Sequence, residues 1–158
     1  KSTFADGVQI PVLGTTVTLR HVGGRGVVQM QDGCLLVPGD GAFMARRVRD
    51  WLKLVAQETI VALVQATAVE LGVQVAKISL RDTSSHWGSC NQEGRLSFSW
   101  RLVLAPYEVL EYVVCHEVAH IRELNHSPAF WRHVASLCPH WRQSREWLKT
   151  HGSTLWRY

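Results

Sequence analysis

The run Val113-Val114-Cys115-His116-Glu117-Val118-Ala119-His120 sets two histidines four residues apart, with a glutamate beside the first, and His126 follows six residues later. On a helix that turns roughly 100° per residue, His116 and His120 lie about 40° apart and can reach one ion together. Glu117 falls on the same side but off the histidine row. It can face a water on the metal without filling a coordination position. A catalytic zinc ion usually has three protein ligands and one open position. It lowers the pKa of its water to roughly 7. A carboxylate placed like Glu117 would take the proton and pass it to a leaving amine.

Three residues compete to be the third ligand. His126 lies just past the expected helix end, where the chain can fold back. Glu146 sits on a later helix, as in peptidases with a downstream glutamate ligand, and His133 lies inside the helix after Pro128. The linker position favours His126. The spacing of His116, His120 and His126 equals that of H-E-x-x-H-x-x-G-x-x-H, the metzincin pattern. Glu123 occupies the glycine position, however, and both methionines, Met30 and Met44, precede the motif, so no downstream Met-turn exists. Only the ligand spacing is shared. The flanking residues Tyr112, Val113, Val114, Cys115, Val118, Ala119 and Ile121 predict a largely buried helix. Buried histidines and a glutamate carry a desolvation penalty unless paired or metal-bound. The reading is a metal site, with an open position because Glu117 would have no task in a closed one.

The elements that must position these residues are legible in outline. Val17, Leu19 and His21 alternate with Thr18, Arg20 and Val22, and Asp32-Gly33 between two short apolar runs is a hairpin signal. The first forty residues therefore read as a small antiparallel sheet. From about Ala42 to Leu71 the apolar residues recur at helical spacing, and Gly72 provides a stop. Arg46, Arg47, Arg49 and Lys53 on that helix read as a solvated face. Val75 to Arg81 and Arg95 to Trp100 alternate like strands around a loop, 83–94. Pro106 opens the signature helix, and Ser127-Pro128 makes a good N-cap and first residue for the next. Pro139 opens a last helix reaching about Lys149.

At 158 residues the chain fits one domain with a sizeable core. Net charge is +4 with a pI near 9.1, which permits weak nucleic-acid contact without requiring it. No apolar run reads as long and charge-free enough to cross a bilayer, so no membrane partner is expected. The opening Lys1-Ser2-Thr3-Phe4-Ala5-Asp6 lacks a signal-peptide core, although the absence of a starting Met leaves room for a preceding leader. Cys34, Cys90, Cys115 and Cys138 form neither a C-x-x-C pair nor a disulfide framework. Free thiols in a reducing, cytoplasmic compartment are expected. Gly88-Ser89-Cys90 faintly resembles a cysteine-peptidase nucleophile motif. That nucleophile needs a helix N-terminus, whereas Asn91-Gln92-Glu93-Gly94 reads as a turn.

Several of these stretches together resemble the YgjP-like metallopeptidase domain family, which is related to SprT-like and minigluzincin zinc peptidases. They are Trp87-Gly88-Ser89-Cys90, Ser99-Trp100-Arg101-Leu102 with Pro106, Tyr112-Val113-Val114 leading into His116-Glu117-x-x-His120, and Asn125-His126-Ser127 with Phe130-Trp131. The resemblance implies a compact zincin-like α+β domain. Its small, mostly antiparallel sheet would pack against a supporting helix and the H-E-x-x-H helix. It implies Zn2+ on His116, His120 and His126, Glu117 as general base, and Arg95 to Trp100 as an edge strand that pairs with extended substrate. The family often has arginine where this chain has His86, so a role for that position does not carry over.

The expected organisation is an N-terminal β subdomain, 1–41, and a zincin-like domain, 42–158, which can form one compact unit. The expected activity is hydrolysis of a polypeptide substrate. His86, Trp87 and Tyr112 are candidates for oxyanion or substrate contacts, with His133 as a rival for the oxyanion, and Trp87 and Trp100 as cleft walls or core. Two other readings remain open on sequence: a zinc-containing protein- or DNA-binding module with little turnover, and a metal hydrolase of non-peptide amides or esters. A latent form with the cleft blocked by a terminal segment is a further open reading, and the tail Ser153 to Tyr158 is apolar enough to pack on the rest of the chain.

Overall fold

The computed structural model describes residues 3–158; Lys1 and Ser2, the start of the stretch read above as lacking a signal core, lie outside the described residues. Strands β1 (Gln9–Val12), β2 (Thr15–His21), β3 (Gln29–Gln31) and β4 (Cys34–Val37) form one sheet in the order β1-β2-β4-β3. Asp32 and Gly33 close the β3–β4 hairpin at φ 52° and 77°, the left-handed backbone that a two-residue turn between twisted strands requires. β2 and β4 run parallel, a pairing that alternation alone does not reveal. Val17, Leu19, Leu35 and Val37 point inward and are buried.

Helix α1 (Met44–Leu71) follows. Its buried residues Met44, Val48, Leu52, Ala56, Ile60, Val64 and Ala68 recur every four positions. Each such step turns about 40°, so the apolar stripe winds around the helix. α1 accordingly packs against several elements, including β4 and three later ones described below. Gly72 stops it at φ 71°, its N–H bonding back to Ala68 and Val69, the usual left-handed cap. Over Gly41–Leu71 an 18-residue window reaches a mean hydropathy of 1.4, long and apolar enough by composition to cross a bilayer. That corrects the expectation that no run qualifies. Arg46 and Lys53 are exposed while Arg47 and Arg49 are half-buried, and all four charged heads lie over aromatic rings, of Phe43, Phe4 or Trp100.

The second sheet holds β5 (Lys77–Arg81), β6 (Gly88–Cys90) and β7 (Arg95–Ser99) in the order β5-β7-β6. β6 lies within the stretch expected to be loop. β7 pairs with β5 in parallel and with β6 antiparallel. The expectation that Arg95 to Trp100 is the substrate-pairing edge is therefore wrong, because both flanks of β7 already carry strands. The edge beside the signature helix belongs to β6.

A 3-10 segment, Trp100–Leu104, begins with Ser99 Oγ accepting from the Arg101 N–H at 3.2 Å. Trp100 is 1% exposed and belongs to the core, and it does not line the cleft beside the signature helix. Then come α2 (Tyr107–Arg122), α3 (Pro128–Leu137), α4 (Trp141–His151) and a closing 3-10 segment, Gly152–Arg157. α1 packs on Trp100–Leu104, α2 and α3. Arg122 donates to the carbonyls of Leu71 and Gly72 at 2.9 and 3.1 Å, which ties the end of α2 to the end of α1. Ile10, Leu19 and Leu35 of the first sheet belong to the same apolar cluster as α1 and α2.

Arg101 anchors the tail. Its guanidinium pairs with Asp82 at 2.7 Å and donates to the carbonyls of Leu155 (3.1 Å) and Tyr158. That guanidinium holds the Asp82 carboxyl below its ordinary value of 3.8. Arg101→Met should cost about 2 to 3 kcal/mol, the scale of charged hydrogen bonds, and raise amide exchange selectively over 152–158. The Asp82 carboxyl is lowered on folding, so its contribution is present above its unfolded value and lost as pH falls through the folded one. The stability gap between wild type and Asp82→Asn should therefore close in acid, as read by urea melts across pH.

Candidate metal centre

Helix α2 buries most of its length, including Glu117 at 6% and His120 at 8% exposure. Its polar residues meet the start of α3. The ligand atoms of His116, His120 and His126 all lie within 4.8 Å of one another. Of the three candidates for third ligand, His126 is thus the one in the cluster. Glu146 lines a separate surface groove with Arg142 and Lys149, and His133 stays half-buried on α3, outside the group.

Two of the three rings are oriented by what holds their other nitrogen. His120 Nδ1 lies 2.9 Å from the carbonyl of Glu123, and His116 Nδ1 lies 3.0 Å from Glu117 Oε2. With Nδ1 protonated in both, each Nε2 keeps its lone pair for an ion. Glu123 also explains the missing glycine. It caps α2 in extended backbone, φ −138° and ψ 104°, so the chain turns toward His126 without a left-handed residue. Ser127 then starts α3, its Oγ accepting from the Phe130 N–H at 3.2 Å, with Pro128 in the first turn, as the sequence predicts.

Aromatic residues of α3 fix the rings in place. Phe130 is fully buried and stacks on His120 at 4.3 Å between centroids. Trp131 stacks on His126 at 5.9 Å and on Trp141 of α4 at 4.6 Å. Burial, followed by the neighbouring His120 and His116, pushes the His126 pKa below its ordinary value. His126 is therefore held in the neutral form that a metal ligand needs. Three imidazole nitrogens at this separation suit a divalent ion of the zinc class with an open position.

His86, Trp87, Gly88, Tyr112, His116 and Glu117 line one open cleft of about 250 Å3. All three predicted contact residues thus reach it. Tyr112 packs its edge on His116 at 5.7 Å, and burial pushes its hydroxyl pKa up to about 12, so it remains a proton donor at neutral pH. His86 is exposed and bonds Ser85 Oγ at 2.8 Å. Trp87 stacks on Trp156 at 4.4 Å, so the tail backs the cleft wall. Burial, followed by the charge of Glu117, raises the Cys90 thiol to about 11. That disfavours the thiolate a cysteine nucleophile needs.

Sequence reasoning named Gly88 only within the Trp87-Gly88-Ser89-Cys90 stretch and gave it no role of its own. A Cβ there would sit 2.9 Å from Glu117 Cγ and 3.2 Å from its Oε2. The bare strand backbone is what lets the carboxylate lie against β6. The sequence signal was its place in the Trp87-Gly88-Ser89-Cys90 stretch.

A sequence model of the YgjP-like metallopeptidase domain matches residues 1–151. The chain is similar to the crystal structure of the metallopeptidase zymogen of Pyrococcus abyssi abylysin, with a TM-score of 0.53 and 21% identity over 58% of this chain and 92% of that one. It also matches the metallopeptidase zymogen of Methanocaldococcus jannaschii jannalysin, with a TM-score of 0.45 and 21% identity over 49% and 79%. The first likeness is one of fold. No curated protein matches the chain.

Gly88→Ala should push the Glu117 side chain off β6. The expected result is at least about a tenfold loss of peptide cleavage, with metal content and far-ultraviolet circular dichroism unchanged. Wild-type rates in this variant would show that the close approach has no bearing on activity.

Proposed function

Because the chain belongs to the YgjP-like metallopeptidase family, we propose that it hydrolyses peptide bonds with a zinc ion held by His116, His120 and His126 and with Glu117 as general base. The observation that carries this reading is the convergence of three imidazole donors beside one buried carboxylate. A zinc ion bound by these rings supplies Lewis acidity and makes a hydroxide available near neutral pH.

The remaining work falls to side chains of this chain. Glu117 Oε2 holds His116 Nδ1, which leaves Oε1 to accept a proton from the attacking water. The water oxygen adds to the scissile carbonyl carbon, the carbon–nitrogen bond then breaks, and Glu117 returns the proton to the leaving amine nitrogen. Tyr112 is the better of the proposed oxyanion donors. Its hydroxyl stays protonated and it lines the cleft, whereas the His86 ring is engaged with Ser85 outside the buried wall. The free edge of β6 accepts the substrate as an added strand, and this favours extended polypeptide over small amides. Gly88 keeps that edge close to Glu117.

Glu117→Gln should keep its metal and lose about 10² to 10⁴ in kcat on a mixed peptide library read by mass spectrometry. Undiminished cleavage with the metal still bound would sink the proposal. His126→Ala should weaken metal binding by at least about 100-fold, measured against a chromophoric chelator. If it leaves affinity unchanged, His126 is not a ligand.

A further inference from the structure

A second group of metal-binding side chains sits on another face of α2. The ligand atoms of Glu111, Cys138 and His140 also lie within 4.8 Å of one another. Glu111 precedes His116 by five residues, so it points about 140° away around the helix axis. Cys138 and His140 lie in the short link between α3 and α4.

The crowding at one atom is informative. His140 Nε2 lies 3.0 Å from Glu111 Oε1, 3.3 Å from Cys138 Sγ and 3.3 Å from the Glu108 carbonyl. A ring nitrogen has one proton to give, and three electron-rich atoms converge on it. An ion pair between His140 and Glu111 uses that hydrogen, while the thiol carries its own and the Glu108 carbonyl accepts from Ser144 Oγ at 3.0 Å. A cation satisfies sulfur, nitrogen and carboxylate oxygen at once. Around zinc, neighbouring ligand atoms stand roughly 3.3–3.6 Å apart, given bonds of about 2.0–2.3 Å and tetrahedral angles. The His140–Cys138 separation of 3.3 Å falls in that range, and the His140–Glu111 one of 3.0 Å lies just below it.

We propose that Glu111, Cys138 and His140 form a second metal site, for a borderline-soft divalent cation such as Zn2+, which clips the α3–α4 link onto α2. The donor set argues for this class, since hard cations such as Mg2+ and Ca2+ avoid thiolate. Cys138 is fully buried, while the side chains of Glu111 and His140 are 29% and 31% exposed, so one side of the site opens to solvent and leaves the fourth position to water. Cys138 binds as thiolate, and its proton leaves to solvent as the ion enters. The Cys115 thiol, one turn after Glu111, is buried and neighbours Cys138. Ser144 Oγ donates to the Glu108 carbonyl at 3.0 Å and already joins α4 to α2 at this point. The clip holds the first half of α2, and with it the rotation of His116 and His120.

Cobalt separates this site from the three-histidine one, because only a cysteine ligand produces a near-ultraviolet thiolate-to-cobalt charge-transfer band. The full chain loaded with Co2+ should bind about two equivalents and show that band. Cys138→Ser should lose the band and about one equivalent, whereas the double variant His116→Ala/His120→Ala should keep both the band and one equivalent. If Cys138→Ser does not fold, His140→Gln and Glu111→Gln should each weaken the thiolate-bound equivalent in a chelator titration. A wild-type protein without the band, or a band that survives Cys138→Ser, overturns the second site. Loss of all metal in the double variant also overturns it and leaves the three-histidine site standing.

Discussion

Helix α2 carries two groups that ordinarily belong in water, the Glu117 carboxylate and the His120 ring, at 6% and 8% exposure. Removing such groups from solvent without partners costs several kcal/mol each. The surrounding structure is arranged to supply those partners. The Glu123 carbonyl takes His120 Nδ1, His116 takes one oxygen of Glu117, and β6 approaches through a residue with no side chain. Relaxing any of these would leave a buried polar group stranded. Polar satisfaction inside an apolar helix thus fixes the geometry of the centre.

The same requirement explains why the second sheet and α3 sit where they do. β7 buries Leu96 and Phe98 and is paired on both sides. Its role is support, and it pushes β6 outward against α2. Phe130 and Trp131 enclose the histidine rings from the far side. The closing 3-10 segment completes the enclosure through Trp156 on Trp87, and Arg101 holds that segment by its backbone carbonyls. An aromatic enclosure lowers the local dielectric and strengthens every electrostatic interaction inside it. The cleft between Trp87 and Tyr112 stays open, and the His126 side of the cluster is exposed.

How far the sequence revealed this depended on whether a feature was local. The pair His116 and His120, the stop at Gly72, the turn at Asp32-Gly33 and the start at Ser127-Pro128 depend on residues within a turn or two of one another, and each was legible. β6 was not. Gly88-Ser89-Cys90 is three residues long with no apolar alternation, and it becomes a strand only because β7 lies beside it. The parallel pairings of β2 with β4 and β5 with β7 are equally non-local. Trp100 could have been wall or core, and only the packing of α1 on Trp100–Leu104 decided it. Glu123 was read as a departure from a glycine pattern. Its extended backbone shows that the chain reaches His126 by a different turn.

Non-locality also hid the second cluster. Glu111 lies 27 positions before Cys138, and no short motif joins them. Only the docking of α4 on α2 brings thiol, imidazole and carboxylate together. The two clusters therefore differ in what they ask of the fold. The three histidines all come from α2 and its exit turn, with Phe130 and Trp131 of α3 holding their rings. The group around Cys138 exists only once α3 and α4 have packed. A metal bound there stabilises the assembled helical layer over the chain with α4 undocked, by mass action on the docked state alone. The rotation of α2 that sets His116 and His120 would then depend on an ion that takes no part in the chemistry.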